Sequence, residues 1–280
     1  MSLRDNPIGI YEKAMPNAFD FETKIKSAQK AGFDFIEISI DESDERLSRL
    51  KWSLEQRQNL KELLTKYNFE IKSMCLSGHR RFPFGSKDPK KRKRAYEIMD
   101  DAIAFAKDLG IDNIQLAGYD VYYEPSDEST LKAFIDGYKY AAKQAEKHNV
   151  LLSIEIMDTY LMGTISRALK YIDEVGSEYL KIYPDIGNLT QWTDDPYGEL
   201  RLGKDHIVAV HLKDTLPGIF KKVPFGEGTV DFVGCLNTLK EIDFKGPFLI
   251  EMWAENDGTE TVEQTVNHLI KTRKWLQERM

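Results

Sequence analysis

LLSIE at 151–155, LKIYPD at 180–185, IVAVH at 207–211 and PFLIE at 247–251 are four short apolar runs, and each stops on a side chain able to ligate a metal. The terminal residues are Glu155, Asp185, His211 and Glu251, separated by 30, 26 and 40 residues. Each interval is close to the roughly 30 residues that one strand-plus-helix unit of an eight-unit barrel consumes. The spacing therefore puts the four residues at the carboxyl ends of successive parallel strands, which share one rim of such a barrel. One charged terminus after a buried run has an ordinary explanation, such as a helix cap or an ion pair. Four in consecutive units would crowd ionisable groups into one pocket, and a cation is what makes that tolerable. A mixed oxygen and nitrogen donor set suits one divalent ion, with Zn²⁺ or Mn²⁺ ahead of Co²⁺ or Mg²⁺.

Working outward from these runs, strand and helix patterns alternate along the whole chain, which implies a parallel sheet. Strands are expected at Ile8–Tyr11, Phe35–Ser39, Glu70–Leu76 and Asn113–Leu116, then Leu151–Ile154, Leu180–Pro184, Ile207–Val210 and Pro247–Ile250. Helices are expected at Phe21–Ala31, Leu54–Tyr67 behind a Ser53/Gln56 capping box, Pro89–Leu109 and Glu128–His148. Four more follow at Thr164–Val175, Pro196–Leu202, Phe232–Glu241 and Thr259–Gln277. The reading is an α/β fold, a single (β/α)8 TIM barrel occupying residues 1–280 as one catalytic domain. Long polar segments after the second, third, fourth and seventh strands (41–53, 77–88, 117–129 and 212–230) mark the functional face.

Composition narrows the partners. The 280 residues are 41% hydrophobic and 30% charged, and no apolar stretch approaches the roughly 20 residues of a membrane helix. A net charge of −7 argues against nucleic-acid binding. The basic run Lys90–Arg94 opens a helix whose apolar face is Tyr96, Met99, Ile103 and Ala106, so it reads as a solvated first turn. No secretory signal opens the sequence, and a cytoplasmic location is the expectation. Cys75 and Cys235 are expected to be reduced and packed. Assembly is left open, with a homodimer as the candidate.

The four ligand-ending runs resemble the xylose-isomerase-like barrel superfamily of sugar isomerases and epimerases, whose metal is held by Glu, Asp, His and Glu. Within it the chain is similar to the L-ribulose-5-phosphate (L-xylulose-5-phosphate) 3-epimerases of L-ascorbate utilisation. GIYEKA at 9–14, SIEIMDT at 153–159, YPDIGNL at 183–189, HLKDT at 211–215 and FGEGTVDF at 225–232 carry the likeness. One position departs from the related ketose 3-epimerases, which have histidine where this chain has Asn188. The resemblance implies metal-dependent interconversion of L-xylulose 5-phosphate and L-ribulose 5-phosphate through an enediolate. Moving a proton from one face of carbon 3 to the other needs two acid/base groups, Glu155 and Glu251, with Asp185 and His211 as holding ligands.

The substrate's phosphate needs donors. Two loops offer them: His79, Arg80 and Arg81 after the third strand, and Lys213, Lys221 and Lys222 after the seventh. Backbone N–H groups of 225–229, with Gly226 and Gly228, are a further candidate. Glu12 and Ser39 follow the first two strands and are expected to face the sugar, as is Asn188. Two rivals share the barrel. An aldose–ketose isomerase would move a proton between carbons 1 and 2 with one base. An abasic-site-endonuclease-like phosphodiesterase clusters several metals on more histidines than the five present here.

Overall fold

The computed structural model describes residues 3–280. Eight strands form a parallel sheet: β1 (Ile8–Tyr11), β2 (Phe35–Ile40), β3 (Glu70–Leu76), β4 (Asn113–Leu116), β5 (Leu151–Glu155), β6 (Leu180–Tyr183), β7 (Val210–Leu212) and, last in the chain, β10 (Phe248–Ile250). Pairing runs β6-β5-β4-β3-β2-β1-β10-β7. The two ends meet through parallel bridges at Ile182–Ile207 and Asp185–His211, which close the barrel beside two of the expected ligands.

Alternation along β2 shows how the strands divide two cores. Ile36, Ile38 and Ile40 point outward into the apolar layer beneath the helices, each buried side chain contributing about 1.5–3 kcal/mol. Phe35 points inward, into a smaller cluster with Tyr11, Cys75, Tyr183, Ala209 and Leu249. Close to that inner cluster a Cβ on Gly9 would lie 2.3 Å from the Phe35 ring, so only glycine lets β1 and β2 lie as they do.

The helices follow their sequence signals closely. These are α1 (Phe21–Lys30), α2 (Asp44–Ser48), α3 (Leu54–Tyr67), α4 (Pro89–Leu109), α5 (Glu128–His148), α6 (Ile165–Val175), α7 (Ile186–Trp192), α8 (Pro196–Leu202), α9 (Phe232–Glu241) and α10 (Val262–Gln277). The Ser53/Gln56 capping box forms with bonds of 3.2 and 2.9 Å. Lys90–Arg94 lies in the first turns of α4, where Lys91 pairs with Glu124 and Arg94 with Glu97. Cys75 and Cys235 are free and buried.

Three expectations need correction. The seventh strand runs Val210–Leu212, not Ile207–Val210, because its ladder with β10 starts at Val210 and Ile207 makes only a bridge. His211 therefore sits within the strand. The segment expected as a loop at 212–230 carries an antiparallel hairpin, β8 (Asp214–Leu216) and β9 (Ile219–Val223), turned at Pro217–Gly218. Helices α2 and α7 occupy stretches read as irregular, each started by a side-chain cap, Ser43 and Asp185.

Candidate active site

Glu155 at the end of β5, Asp185 just past β6, His211 in β7 and Glu251 just past β10 converge on one point. One donor atom from each lies within 4.8 Å of all the others. His211 Nδ1 is 3.4 Å from Glu155 Oε1, 3.9 Å from Asp185 Oδ2 and 4.0 Å from Glu251 Oε2. Asp185 does two jobs with its two oxygens. Oδ1 accepts the Asn188 N–H and starts α7, while Oδ2 turns into the cluster.

The opposite ring nitrogen of His211 faces Glu37, a residue that sequence reasoning missed. Glu37 Oε1 lies 3.0 Å from His211 Nε2, and its Oε2 accepts from Ser73 Oγ at 2.6 Å. This fixes the imidazole with Nδ1 toward the carboxylates, as histidine ligands of metals are usually fixed. The signal was present in FIEISI, where an acidic residue stands at an inward position of a fully buried strand.

Electrostatics decide what the pocket can hold. Glu37, Glu155, Asp185 and Glu251 are all buried, with the His211 imidazole and the Lys213 ammonium set among them as countercharges. Lys213 Nζ lies 3.0 Å from both Asp185 Oδ2 and Glu251 Oε2. Burial opposes its charge, yet Asp185 and Glu251 raise its pKa well above the usual lysine range. Burial likewise disfavours charge on His211, but Glu37 and Glu155 outweigh it and push the imidazole pKa up. Burial holds Asp185 up at about 7 against the pull of Lys213. On Glu251, Lys213 and His211 overcome burial and bring the carboxyl down to about 2. Asp185 Oδ2 and Glu251 Oε2 are met only by the Lys213 ammonium, outside regular hydrogen-bond geometry, and His211 Nδ1 has no hydrogen bond; all three point into the cluster. An orphaned imidazole nitrogen within reach of three buried carboxylates, two of which share a single ammonium, is a donor set that fits a divalent cation. The four residues can hold such an ion.

The roles differ by exposure. Glu155 and Glu251, each 7% exposed, line the cavity at the barrel mouth, whereas Asp185 and His211 are wholly buried behind it. In the circular strand order the two glutamates flank the Asp185–His211 pair, one on either side. Tyr11, Trp253 and Cys75 share the cavity wall. Asn188 does too: its amide donates to the Ile156 carbonyl at 2.8 Å, leaving Oδ1 unpartnered.

Several expected contacts lie elsewhere. Glu12 turns away from the mouth into a buried ion cluster with Lys24 (2.8 Å), Arg46 (2.9 Å) and Arg49 (2.7 Å). It is structural. Burial opposes its ionisation, but Lys24 and Arg49 hold its carboxyl far below the usual range. Ser39 is fully buried and bonds the Tyr11 hydroxyl at 3.0 Å, so it supports a cavity wall rather than meeting the sugar. His79 packs on Phe84 with ring centroids 4.7 Å apart, with Nε2 3.1 Å from the Ala95 carbonyl. Burial brings it down to about 4, so it is neutral and cannot serve as a phosphate cation. Arg81 pairs with Asp44 and Lys222 with Glu255, both at 2.7 Å and both largely exposed, so each cation already has a carboxylate partner. Lys213 belongs to the carboxylate cluster and not to an exposed rim. The N–H groups of Gly226 and Gly228 are taken by the buried Asp214 carboxylate, at 2.8 and 3.0 Å, so an internal anion fills that nest. Arg80 alone of the 77–88 cations opens onto the cavity.

Residues 25–273 match the xylose isomerase-like TIM barrel family, and the chain belongs to it. At finer grain it is 49% identical over 284 residues to a putative L-ribulose-5-phosphate 3-epimerase of Escherichia coli strain K12, covering 99% of this chain and 98% of the relative. It is 50% identical over 274 residues to the L-ribulose-5-phosphate 3-epimerase of Shigella sonnei, covering 98% and 95%. Among solved structures, D-allulose 3-epimerase from Methylomonas sp. in complex with D-allulose superposes with a TM-score of 0.79 at 18% identity, covering 98% and 97%. At that identity the last likeness speaks for the fold alone.

Proposed function

We propose that this chain is a metal-dependent isomerase, a 3-epimerase that interconverts L-xylulose 5-phosphate and L-ribulose 5-phosphate within one barrel domain. The observation that carries the reading is the placement of two cavity-facing glutamates on either side of a buried Asp–His pair, in a chain half identical to L-ribulose-5-phosphate 3-epimerases.

Glu155, Asp185, His211 and Glu251 hold the cation, with Glu37 orienting His211. A divalent ion bound there would supply Lewis-acid chemistry, polarising the ketose carbonyl. One glutamate takes the proton from carbon 3 on its own face of the sugar. The other, protonated, returns a proton to the opposite face, and the two exchange roles in the reverse direction. Asp185 and His211 have no access to the substrate and serve as holding ligands. The Asn188 Oδ1, unpartnered in the wall, accepts from a sugar hydroxyl. Tyr11 and Trp253 close the sides of the cavity and limit water at the reacting carbon.

A multi-histidine phosphodiesterase is disfavoured by the same geometry, since His79 is locked in the core and His211 is the one histidine of the cluster. Proton NMR in D₂O separates the epimerase from an aldose–ketose isomerase. With metal-loaded enzyme and pentulose 5-phosphates, deuterium is expected at carbon 3. Exchange confined to carbon 1 would replace the epimerase with the isomerase.

A further inference from the structure

His211 and Lys213 stand two residues apart at the end of β7, so both side chains turn into the barrel. Asp185 Oδ2 and Glu251 Oε2 are shared between them. Each of these oxygens faces His211 Nδ1, at 3.9 and 4.0 Å, and each lies 3.0 Å from the Lys213 ammonium. Among the described residues the ion pairs of Lys213 are these two, whereas His211 Nδ1 also reaches Glu155 at 3.4 Å. The ammonium therefore sits on the Asp185–Glu251 edge of the four-residue cluster and not at its centre.

Its surroundings hold it there. Lys213 is 4% exposed. A Cβ on Gly187, in the first turn of α7, would come within 2.7 Å of the Lys213 carbonyl oxygen and 2.8 Å of its Cγ, so glycine is what lets the lysine stem lie against that helix. On another side the centre of the Trp253 ring is 5.7 Å from Nζ. A lysine wedged between a helix, an indole and two carboxylates is a tethered cation. The charge it meets is large, since Glu37, Glu155, Asp185 and Glu251 together exceed what one divalent ion and a neutral imidazole balance. In two-metal sites the ions lie about 3.5–4 Å apart, clamped by protein ligands between them. Here Asp185 Oδ2 and Glu251 Oε2 face two directions in that way, and the ammonium takes the second of them.

We infer that Lys213 stands where a second metal ion would otherwise bind, and that this built-in monocation keeps the centre mononuclear. Lysine suits the place because its ammonium is a compact point charge that meets one oxygen of each carboxylate. Lys213 is thus a positioning residue for the metal centre. The inference goes beyond the epimerase reading: it rests on the cation site and makes no use of the reaction.

The test counts bound metal and needs no turnover. Metal-stripped wild type, Lys213→Ala, Lys213→Gln and Lys213→Arg are titrated with Mn²⁺, the bound ion is counted by elemental analysis, and electron paramagnetic resonance separates isolated from coupled ions. Wild type and Lys213→Arg, which keeps the charge, are expected to bind one Mn²⁺ per chain with the spectrum of an isolated ion. Lys213→Ala and Lys213→Gln are expected to bind two, with the spin coupling of ions about 3.5–4 Å apart. Lys213→Gln, with a polar side chain in place of the ammonium, carries the test if Lys213→Ala fails to fold. Two ions in wild type, one or none in both neutral variants, or a second ion without coupling, overturns the inference. A coupled pair in Lys213→Arg overturns it too, since charge would then not be what excludes the second ion. Failure of wild type to bind any Mn²⁺ or Zn²⁺ would instead overturn the metal site, and the epimerase reading with it.

Discussion

Replacing Glu37 by glutamine removes one charge from a fully buried cluster while keeping the side chain's size. In the wild type the carboxylate accepts from His211 Nε2 at 3.0 Å and from Ser73 Oγ at 2.6 Å, with no solvent contact. The amide of the variant can still accept from the imidazole, but as a neutral acceptor it orients the ring less firmly and leaves His211 less basic. A buried hydrogen bond to a charged group contributes about 1.5–3 kcal/mol. Loss of an outer partner of a metal-bound histidine typically lowers affinity about 10- to 100-fold, or about 1.4–2.7 kcal/mol, so the two routes to the magnitude agree. Calorimetric titration of metal-stripped protein with Mn²⁺ or Zn²⁺ should therefore show one site with a dissociation constant raised by that factor. Circular dichroism of the stripped variant serves as the check that the barrel persists. A dissociation constant within about threefold of wild type would refute the role assigned to Glu37.

Other consequences follow from the residues placed away from the cavity. Glu12→Gln strands Lys24, Arg46 and Arg49 without their buried carboxylate and should cost about 3–5 kcal/mol in urea unfolding; a loss below about 1 kcal/mol would return Glu12 to the list of sugar contacts. His79, brought down to about 4 by burial, stays neutral in the fold while the unfolded chain protonates near 6.5. Its contribution is thus intact above about pH 6.5 and is lost as pH falls toward 4, by about 3 kcal/mol in all. His79→Phe should flatten that part of the stability–pH curve, and an unaltered slope would contradict the assignment.

Much of the site was legible because a strand's end is a strong positional signal. An apolar run tells where a β-strand stops, and in a parallel barrel all stops face one rim, so Glu155, Asp185, His211 and Glu251 could be brought together without coordinates. Direction beyond the stop was not legible. Glu12 and His79 also follow strands, but the chain turns at once into a short 3-10 helix in each case and carries them into the packing under the helices. Glu37 escaped for the opposite reason, since it lies inside a strand, where only the two-residue alternation of FIEISI marks it as inward. The hairpin β8–β9 had its Pro217–Gly218 turn in plain sight, yet exposed Lys221 and Lys222 made the segment read as loop. Both readings of Asp185, helix cap and member of the charged cluster, hold at once because its two oxygens face different partners.

The most direct test of the two-glutamate account is deuterium exchange at carbon 3 by Glu155→Gln and Glu251→Gln, each verified to carry a full complement of metal. Each variant keeps one acid/base group on one face of the sugar. Epimerisation should be lost in both, while each still exchanges the carbon 3 hydrogen of one epimer only, and of a different epimer from its counterpart. Retained epimerisation in either fully metallated variant, or exchange of both epimers by one of them, would contradict the account.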